Sequence, residues 1–255
     1  MRKIDLDKQV EFIVDFMQKQ LSSAGFSKLV VGLSGGIDSS VTAALSVKAV
    51  GKENVFGVML PYRKSHPDSF NDAVEVAELL GISYETVDIS PMVDSYFDIF
   101  EKDADNLRMG NRMARERMCV LYDLSAKYRA LVAGTGNLSE LMIGYCTQYG
   151  DSACAFEPIG HLYKTEVYEI ARILGLSKNV ITKKPTADLW EGQTDEDEMG
   201  ITYTELDEIL YYMLELKTDG QELISTYTEE RIEKVKKMIK NSEFKRNMPP
   251  SPEMI

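Results

Sequence analysis

The 255-residue sequence is short of several things, and each shortage narrows what the chain can be. Cysteine occurs only at Cys119, Cys146 and Cys154, with no Cys-x-x-Cys pair. That excludes a disulfide framework and a zinc finger, and it predicts free thiols in a reducing compartment, the cytoplasm. No apolar run reaches the ~20 residues of a membrane span. The start, Met1-Arg2-Lys3-Ile4-Asp5, is too charged to open a signal peptide, so no membrane partner is expected. Positive charge is scarce: 29 Lys and Arg against 41 Asp and Glu leave a net charge of -12. Such a chain is not a nonspecific nucleic-acid binder, and a pocket for a polyanion must gather its cations locally. Internal repeats and low-complexity linkers are absent. A hydrophobic content of 44% suffices for a full core, so one large domain over 1–255 is expected.

The most informative stretch present is Gly32-Leu33-Ser34-Gly35-Gly36-Ile37-Asp38-Ser39-Ser40. The apolar run Leu29 to Leu33 before it reads as a buried strand. A helical pattern through Val41, Ala44, Leu45 and Ala49 follows it. Strand, glycine turn and helix N-terminus make a phosphate cradle. Glycine lets backbone approach an anion, and the first helical N–H groups are unpaired. The hydroxyls of Ser34, Ser39 and Ser40 can add donors. A Walker A loop would end in Gly-Lys-Ser/Thr. Here Asp38 stands near the place of that cation, which makes sense for a carboxylate that holds Mg²⁺. The alternative is an ordinary tight turn. The segment resembles the pyrophosphate loop of the N-type ATP pyrophosphatases, which cleave ATP between the α and β phosphates and adenylate a substrate.

Helical spacing runs from about Leu6 to Leu21, ended by Gly25. Strands are expected over Asn54 to Leu60, Tyr84 to Ile89 and Arg129 to Ala133. Helices are expected from Pro67 to Leu80, from Pro91 to Phe100, from Gly110 through Leu124, and from Asn137 to Tyr145. The alternation predicts an α/β fold: a doubly wound, mostly parallel sheet with extra C-terminal helices. Ligands in such sheets lie at the carboxyl ends of strands, at a switch point. The turns after Leu33 and Ala133 both fall there. Beyond Gly150 the strand rhythm stops. Helices are expected at Lys164 to Leu174, Tyr203 to Lys217 and Thr228 to Lys240, with a polar, turn-rich stretch over Thr182 to Gly200.

Four further groups carry charge or turns. Arg112, Arg115 and Arg117 fall on the first turns of the helix after Gly110. They suit phosphates or carboxylates, or equally a solvated face paired to acids such as Glu116. Gly134-Thr135-Gly136-Asn137 repeats the strand–turn–helix logic, with Glu140 one turn on. That carboxylate can join Asp38 on Mg²⁺ or simply cap its helix. Lys164 opens a helix, where a cation is electrostatically poor, and that misfit favours a role on ATP phosphates. His161 reads as a surface histidine. The acidic run Asp195-Glu196-Asp197-Glu198, after Trp190, is a solvated turn or part of an active-site lid.

Taken in order, these pieces resemble the ammonia-dependent NAD synthetases over almost the whole chain. The resemblance rests on Ser34-Gly35-Gly36-Ile37-Asp38-Ser39, Gly110-Asn111 with Arg115, Gly134-Thr135-Gly136-Asn137 with Glu140, and Tyr149-Gly150-Asp151. It continues through Pro158-Ile159-Gly160, Lys164-Thr165-Glu166, Pro185-Thr186-Ala187-Asp188-Leu189 and Gln193-Thr194-Asp195-Glu196. It implies that Gly32 to Ser39 bind ATP phosphates and that Asp38 and Glu140 bind Mg²⁺. Thr135, Lys164 and Thr186 would contact ATP, and Arg115 would contact deamido-NAD. Gln148 and Lys245 fall at positions of the dinucleotide side. The family is a homodimer with the dinucleotide at the subunit interface. The chain departs from the family pattern at Gln148 (usually Lys), Ala155 (usually Asp), His161 (commonly an acid) and Phe244 (usually His).

The expected reaction joins ATP, deamido-NAD and ammonia, with AMP, pyrophosphate and NAD as products. Asp38 and Lys164 serve adenylation, and Asp195 is the candidate base for ammonium. The alternatives are adenylation of another acceptor, or a non-catalytic nucleotide-binding module. Glutamine use is not expected, since only one helix precedes the cradle and the cysteines offer no nucleophile. Cys119, beside Met118 and Val120, is expected on the inward side of its helix.

Overall fold

In the computed structural model, residues 2–190, 192–218, 221–224 and 226–252 are described. Met1 and Glu191, which belong to the expected N-terminal segment and lid, lie outside them. The chain opens with α1 (Leu6–Ala24), capped by Asp5 and closed by Gly25 at φ 74°. β1 (Leu29–Gly32), α2 (Ile37–Val50), β2 (Val55–Met59), α3 (Pro67–Leu80) and β3 (Ser83–Thr86) then alternate. α4 (Ser90–Phe100) and α5 (Asn106–Tyr128) lead to β4 (Leu131–Ala133) and α6 (Leu138–Ile143).

All three strand pairings are parallel, in the order β3-β2-β1-β4, with Leu29 opposite both Val55 and Leu131. The chain first builds outward from β1 to β3, then returns to β1's other edge for β4. The β1/β4 boundary is therefore the topological switch point, where crevices open in such sheets. Ala133 also bridges Phe156 in parallel, extending that edge.

Alternation along β1 sorts its side chains to two faces. Leu29, Val31 and Leu33 join a core with Ile13 and Met17 of α1, Val41 and Leu45 of α2, and helix α7 (Lys164–Ile173). Val30 faces the opposite way, onto Val93 and Phe97 of α4 and Met113 and Leu124 of α5. α2 is buried nearly all round, because it is sandwiched between the sheet, α1 and α7.

After α7 come α8 (Lys178–Thr182), α9 (Asp195–Met199), α10 (Tyr203–Leu214), α11 (Glu229–Asn241) and α12 (Glu243–Arg246). α9, α10 and α11 form a separate apolar cluster around Leu206, Ile209, Leu210, Ile232 and Val235, with Ile143 of α6, whereas Val180 of α8 joins the core beside α7. No described helix is long and apolar enough to cross a membrane.

Several boundaries differ from those expected. α5 starts four residues before Gly110, because the Asp105 side chain accepts from Arg108 N. Gly110 is thus interior to the helix, where Leu189 packs on it: a Cβ would lie 2.8 Å from Leu189 Cδ1. Arg112, Arg115 and Arg117 consequently sit on its second, third and fourth turns. β3 is shorter than Tyr84 to Ile89, although Val87 N and Ile89 N still donate to Met59 O and Pro61 O. Cys119 is exposed, not inward, because Met113 and Leu124 take the buried stripe of α5. The turn-rich stretch after Thr182 contains α9, capped by Thr194.

Candidate active site

The cradle follows β1 directly. Leu33 N still donates to Val58 O at 2.8 Å, and then the chain turns. Gly35 has φ 73°, and a Cβ there would lie 2.2 Å from Ser69 O, so only glycine fits. Gly35 itself is buried against α3 and does not line the cavity; Gly32, Leu33, Ser34, Gly36, Ile37, Asp38 and Ser39 do. Helix α2 has no side-chain cap at Gly36, which leaves its first N–H groups for a ligand. The hydroxyls mostly shape the turn. Ser34 Oγ accepts from Gly36 N (3.2 Å), while Ser39 Oγ and Ser40 Oγ donate to Gly36 O (3.1 and 2.7 Å). Ser40 is buried, so it adds no donor to the cavity.

The second turn, after β4, is clamped to the first. Asn137 accepts from Glu140 N, capping α6, and its Nδ2 donates to Asp38 Oδ1 at 2.9 Å. Between the turns stands Lys164, 2% exposed, with Nζ 2.5 Å from Asp38 Oδ2 and 2.9 Å from Glu140 Oε1. This explains a lysine at a helix start: two carboxylates offset its unfavourable place on the α7 dipole. Burial alone would lower the Lys164 ammonium, but Asp38 and Glu140 more than reverse that and hold it well above its usual range. Burial pushes the Glu140 carboxyl up to about 7, against the pull of Lys164 and with help from the Asp38 charge.

α9 and α10 close this cluster. Tyr203 OH lies 2.8 Å from Glu140 Oε1 and 3.1 Å from Asp195 Oδ2, and its ring faces Lys164 Nζ at 4.8 Å. Tyr145 OH reaches Asp195 Oδ1 at 3.1 Å and also bonds Glu198. Asp195 is buried, and burial raises its carboxyl although Lys164 and both tyrosines oppose it. The acidic run is therefore not a solvated turn throughout.

The donor set suits Mg²⁺. Asp38 and Glu140 offer hard carboxylate oxygens beside the cradle, on either side of the Lys164 ammonium. Mg²⁺ typically takes one or two carboxylates and completes its shell with water and substrate phosphate. Among the described residues no trio of ligating side chains makes a closed metal cage.

A cavity of about 610 Å³ opens from the cradle across the carboxyl ends of the strands. Thr135, Thr186, Lys164, Asp195 and Lys245 all line it. Lys245 Nζ donates to Gly144 O and Cys146 O, both at 2.7 Å. The stretch from Pro185 to Trp190, with Gln193, covers one side. It is tied down by Lys183 Nζ on Asp72 Oδ2 (2.7 Å) and by His66 N on Asp188 Oδ2 (3.0 Å). Arg115 and Gln148 do not line the cavity; the Arg115 guanidinium, on the exposed side of α5, donates to Gln148 O. Arg117 lines it instead, its Nε donating to Leu60 O at 3.0 Å at the end of β2. His161 is away from the cavity, half-buried beside Gln9 and Phe12.

Tyr145 and Tyr203 carried no sequence signal of their own, and Asn137 was read only as part of its turn; their roles arise from contacts between distant segments. Arg117 was one of three candidate cations on its helix, whereas Lys183, in the turn-rich stretch, was not singled out. Their distinguishing feature, facing one cavity, is tertiary.

A phosphate cradle at the switch point of a parallel sheet, facing a buried Lys–Asp–Glu cluster, defines a class: α/β enzymes that act on nucleotides. The comparisons agree. The model of the NAD synthase family matches residues 9–249. The NH(3)-dependent NAD(+) synthetase of Fusobacterium nucleatum is 50% identical, covering 98% of this chain and 97% of the relative. Among solved structures, the NH3-dependent NAD synthetase of Campylobacter jejuni has a TM-score of 0.84 at 36% identity, covering 98% of this chain and all of that one. The NMN synthetase of Francisella tularensis has a TM-score of 0.89 at 32% identity, covering 99% and 100%. The chain belongs to the NAD synthase family, whose members are ligases.

Proposed function

We propose that this chain makes NAD from deamido-NAD, ATP and ammonia, through a deamido-NAD adenylate, and that residues 1–255 work as one catalytic unit. The observation that carries the reading is Lys164 held between Asp38 and Glu140 where the two glycine turns meet. The nicotinate carboxylate of the acceptor attacks the α-phosphorus of ATP. The bond to the bridging oxygen breaks, and pyrophosphate leaves into the cradle. Uncapped N–H groups of α2 hold its oxygens, and Lys164 meets the charge that develops there. Asp38 and Glu140 hold Mg²⁺, which when bound withdraws electron density from the phosphates. Thr135 and Thr186 hold the nucleotide.

Ammonia then attacks the acyl carbon and AMP departs with its oxygen. Asp195, whose carboxyl burial makes more basic than an exposed one, is the base that takes a proton from arriving ammonium. The segment from Pro185 to Trp190, with Gln193, excludes water, which would hydrolyse the adenylate.

Arg115, Gln148 and Lys245 serve the dinucleotide. Lys245 does so from within the cavity; Arg115 and Gln148 stand on the outer surface. That placement supports a homodimer whose partner closes the dinucleotide site. Exposed Met92, Tyr96, Ile99 and Phe100 on α4 and Leu107 on α5 support it too, since exposed apolar patches mark interfaces. The compartment is the cytoplasm.

The test uses the purified chain with ATP, Mg²⁺ and deamido-NAD, reading pyrophosphate and NAD. Ammonium chloride is compared with ammonia-free glutamine, and deamido-NAD with nicotinate mononucleotide. NAD formed with ammonium and deamido-NAD is expected. Pyrophosphate release only with the mononucleotide, or equal rates from glutamine, would overturn the reading.

A further inference from the structure

α10 reaches the catalytic cluster through two residues one turn apart. Tyr203 bonds Glu140 and Asp195. Asp207, at i+4 on the same face, reaches deeper. It is fully buried, between Leu206 and the pair Ile209 and Leu210, and none of the described ion pairs includes it. Its two oxygens are used differently. Oδ1 accepts from the Ser139 hydroxyl, and Oδ2 accepts from Thr165 N at 2.8 Å. Ser139 Oγ in turn accepts from Lys164 N at 2.9 Å. One carboxylate thus spans the starts of α6 and α7. The residues it holds are the chain neighbours of Glu140 and Lys164.

We propose that Asp207 is a positioning residue for the adenylation step, fixing α6 and α7 so that Glu140 and Lys164 meet beside the cradle; this rests on the function proposed above. A core position needing only packing is served as well by an apolar side chain, because a buried carboxylate is costly to desolvate. Asp207 is retained where it fixes the relative placement of two helix starts that contribute charged side chains to one point. Lys164 has to meet developing charge within a few tenths of an ångström, and small misplacements of such groups cost rate more than binding. The carboxylate is itself held by the Ser139 hydroxyl, the Thr165 N–H and the N-terminal end of α7.

The experiment is a set of variants read by single-turnover adenylation, with melting curves alongside. Asp207→Asn keeps the shape and one acceptor. It is expected to slow adenylation about 10–30-fold, with KM for ATP and deamido-NAD within about twofold. Ser139→Ala, which cuts one arm and leaves Thr165 held, is expected to slow it less and serves if the first variant folds poorly. In a Lys164→Ala background, Asp207→Asn is expected to add almost nothing, because it acts through Lys164. Adenylation per folded molecule within twofold of the parent in both variants would overturn the proposal. So would a full multiplicative loss on top of Lys164→Ala. The parent is assayed first, and its failure to release pyrophosphate would count against the proposed function alone. Crystal structures of the parent and Asp207→Asn then decide for Asp207. Lys164 Nζ drawn away from Glu140 supports positioning, and an unchanged contact overturns it.

Discussion

The cavity wall made by the strand ends is mostly backbone. From Gly32 to Ser39 and from Gly134 to Asn137 it is turn backbone, and the hydroxyls, amides and several N–H groups there are spent holding the turns in shape. The facing wall is built from side chains: Lys164 of α7, Asp195 of α9 and Lys245 of α12, with Tyr203 of α10 bonded to Asp195 behind it. The first wall is fixed by local chain geometry, so its function is to bind. The second is assembled from segments far apart in sequence, as with Lys164 and Asp38, 126 residues apart. Lys164 and Asp195 are charged, buried and set around one cluster, so on the proposed reading this wall responds to charge that moves. If that division is right, substitutions in the side-chain wall cost rate and substitutions in the backbone wall cost binding.

The sharpest break is Lys164→Ala. It leaves Asp38 and Glu140 without the ammonium that stands between them. An adenylation rate lower by about 10³-fold is expected, the scale of losing a preorganised electrostatic donor. A melting temperature below the parent's is also expected, since a buried ion pair has lost one partner. Rapid-quench measurement of pyrophosphate with both substrates saturating checks it. A change confined to KM would move Lys164 to the binding wall.

Asp38→Asn and Glu140→Gln come next, each expected to lower turnover about 10²-fold at ordinary Mg²⁺. The two are not equivalent. Asp38 also anchors Asn137 and so the second turn, whereas Glu140 is tied to Tyr203. Titrating Mg²⁺ is the check: excess metal should recover part of the activity if the carboxylates are its ligands. Equal activity at all Mg²⁺ levels would remove the metal from this pair.

The same division marks what could be read from the amino-acid order. The backbone wall was legible because Ser-Gly-Gly-Ile-Asp-Ser and Gly-Thr-Gly-Asn encode turns by themselves. So was the α/β alternation, where valine-rich runs and Gly or Pro stops act locally. Lys164 was legible as an electrostatic misfit at a helix start. Its two partners on one ammonium were not, nor was Tyr203, whose hydroxyl looks like any other on an amphipathic helix. Cys119 shows the same limit. Its neighbours are apolar, but which stripe of α5 turns inward is decided by Val30 and Phe97 across the interface.

Gly35→Ala tests the backbone wall. The new Cβ would press on Ser69 O at 2.2 Å while φ stays at 73°. Left-handed backbone costs an ordinary residue ~1–2 kcal/mol, so the loop must deform. The KM for ATP is expected to rise about tenfold, with saturated adenylation falling less. A rate loss without a KM change, measured with ATP titrated at fixed deamido-NAD, would erase the distinction between the walls.

The smallest effect concerns an exception, Glu157, a charged side chain set behind the backbone wall. Its Oε2 accepts from Gly136 N at 2.9 Å, while Oε1 is buried with no partner among the described residues. Burial pushes its carboxyl up from 4.5 to about 7, with Cys154 and Gly136 opposing. Between those values the folded protein keeps a proton that the unfolded chain has released. Stability from this group is therefore present in full below about pH 4.5 and lost as pH rises through 7. Glu157→Gln keeps an acceptor for Gly136 N and removes the titration. The variant is expected to match the parent near pH 5 and to melt higher at pH 8, by about 2–4 °C for each kcal/mol relieved. Adenylation should change little, because the Gly136 turn keeps its hydrogen bond. Melting curves from pH 5 to 8 check it. A gap that stays constant across that range would mean that Glu157 holds no proton in the fold, and that the turn tolerates a buried charge at its back.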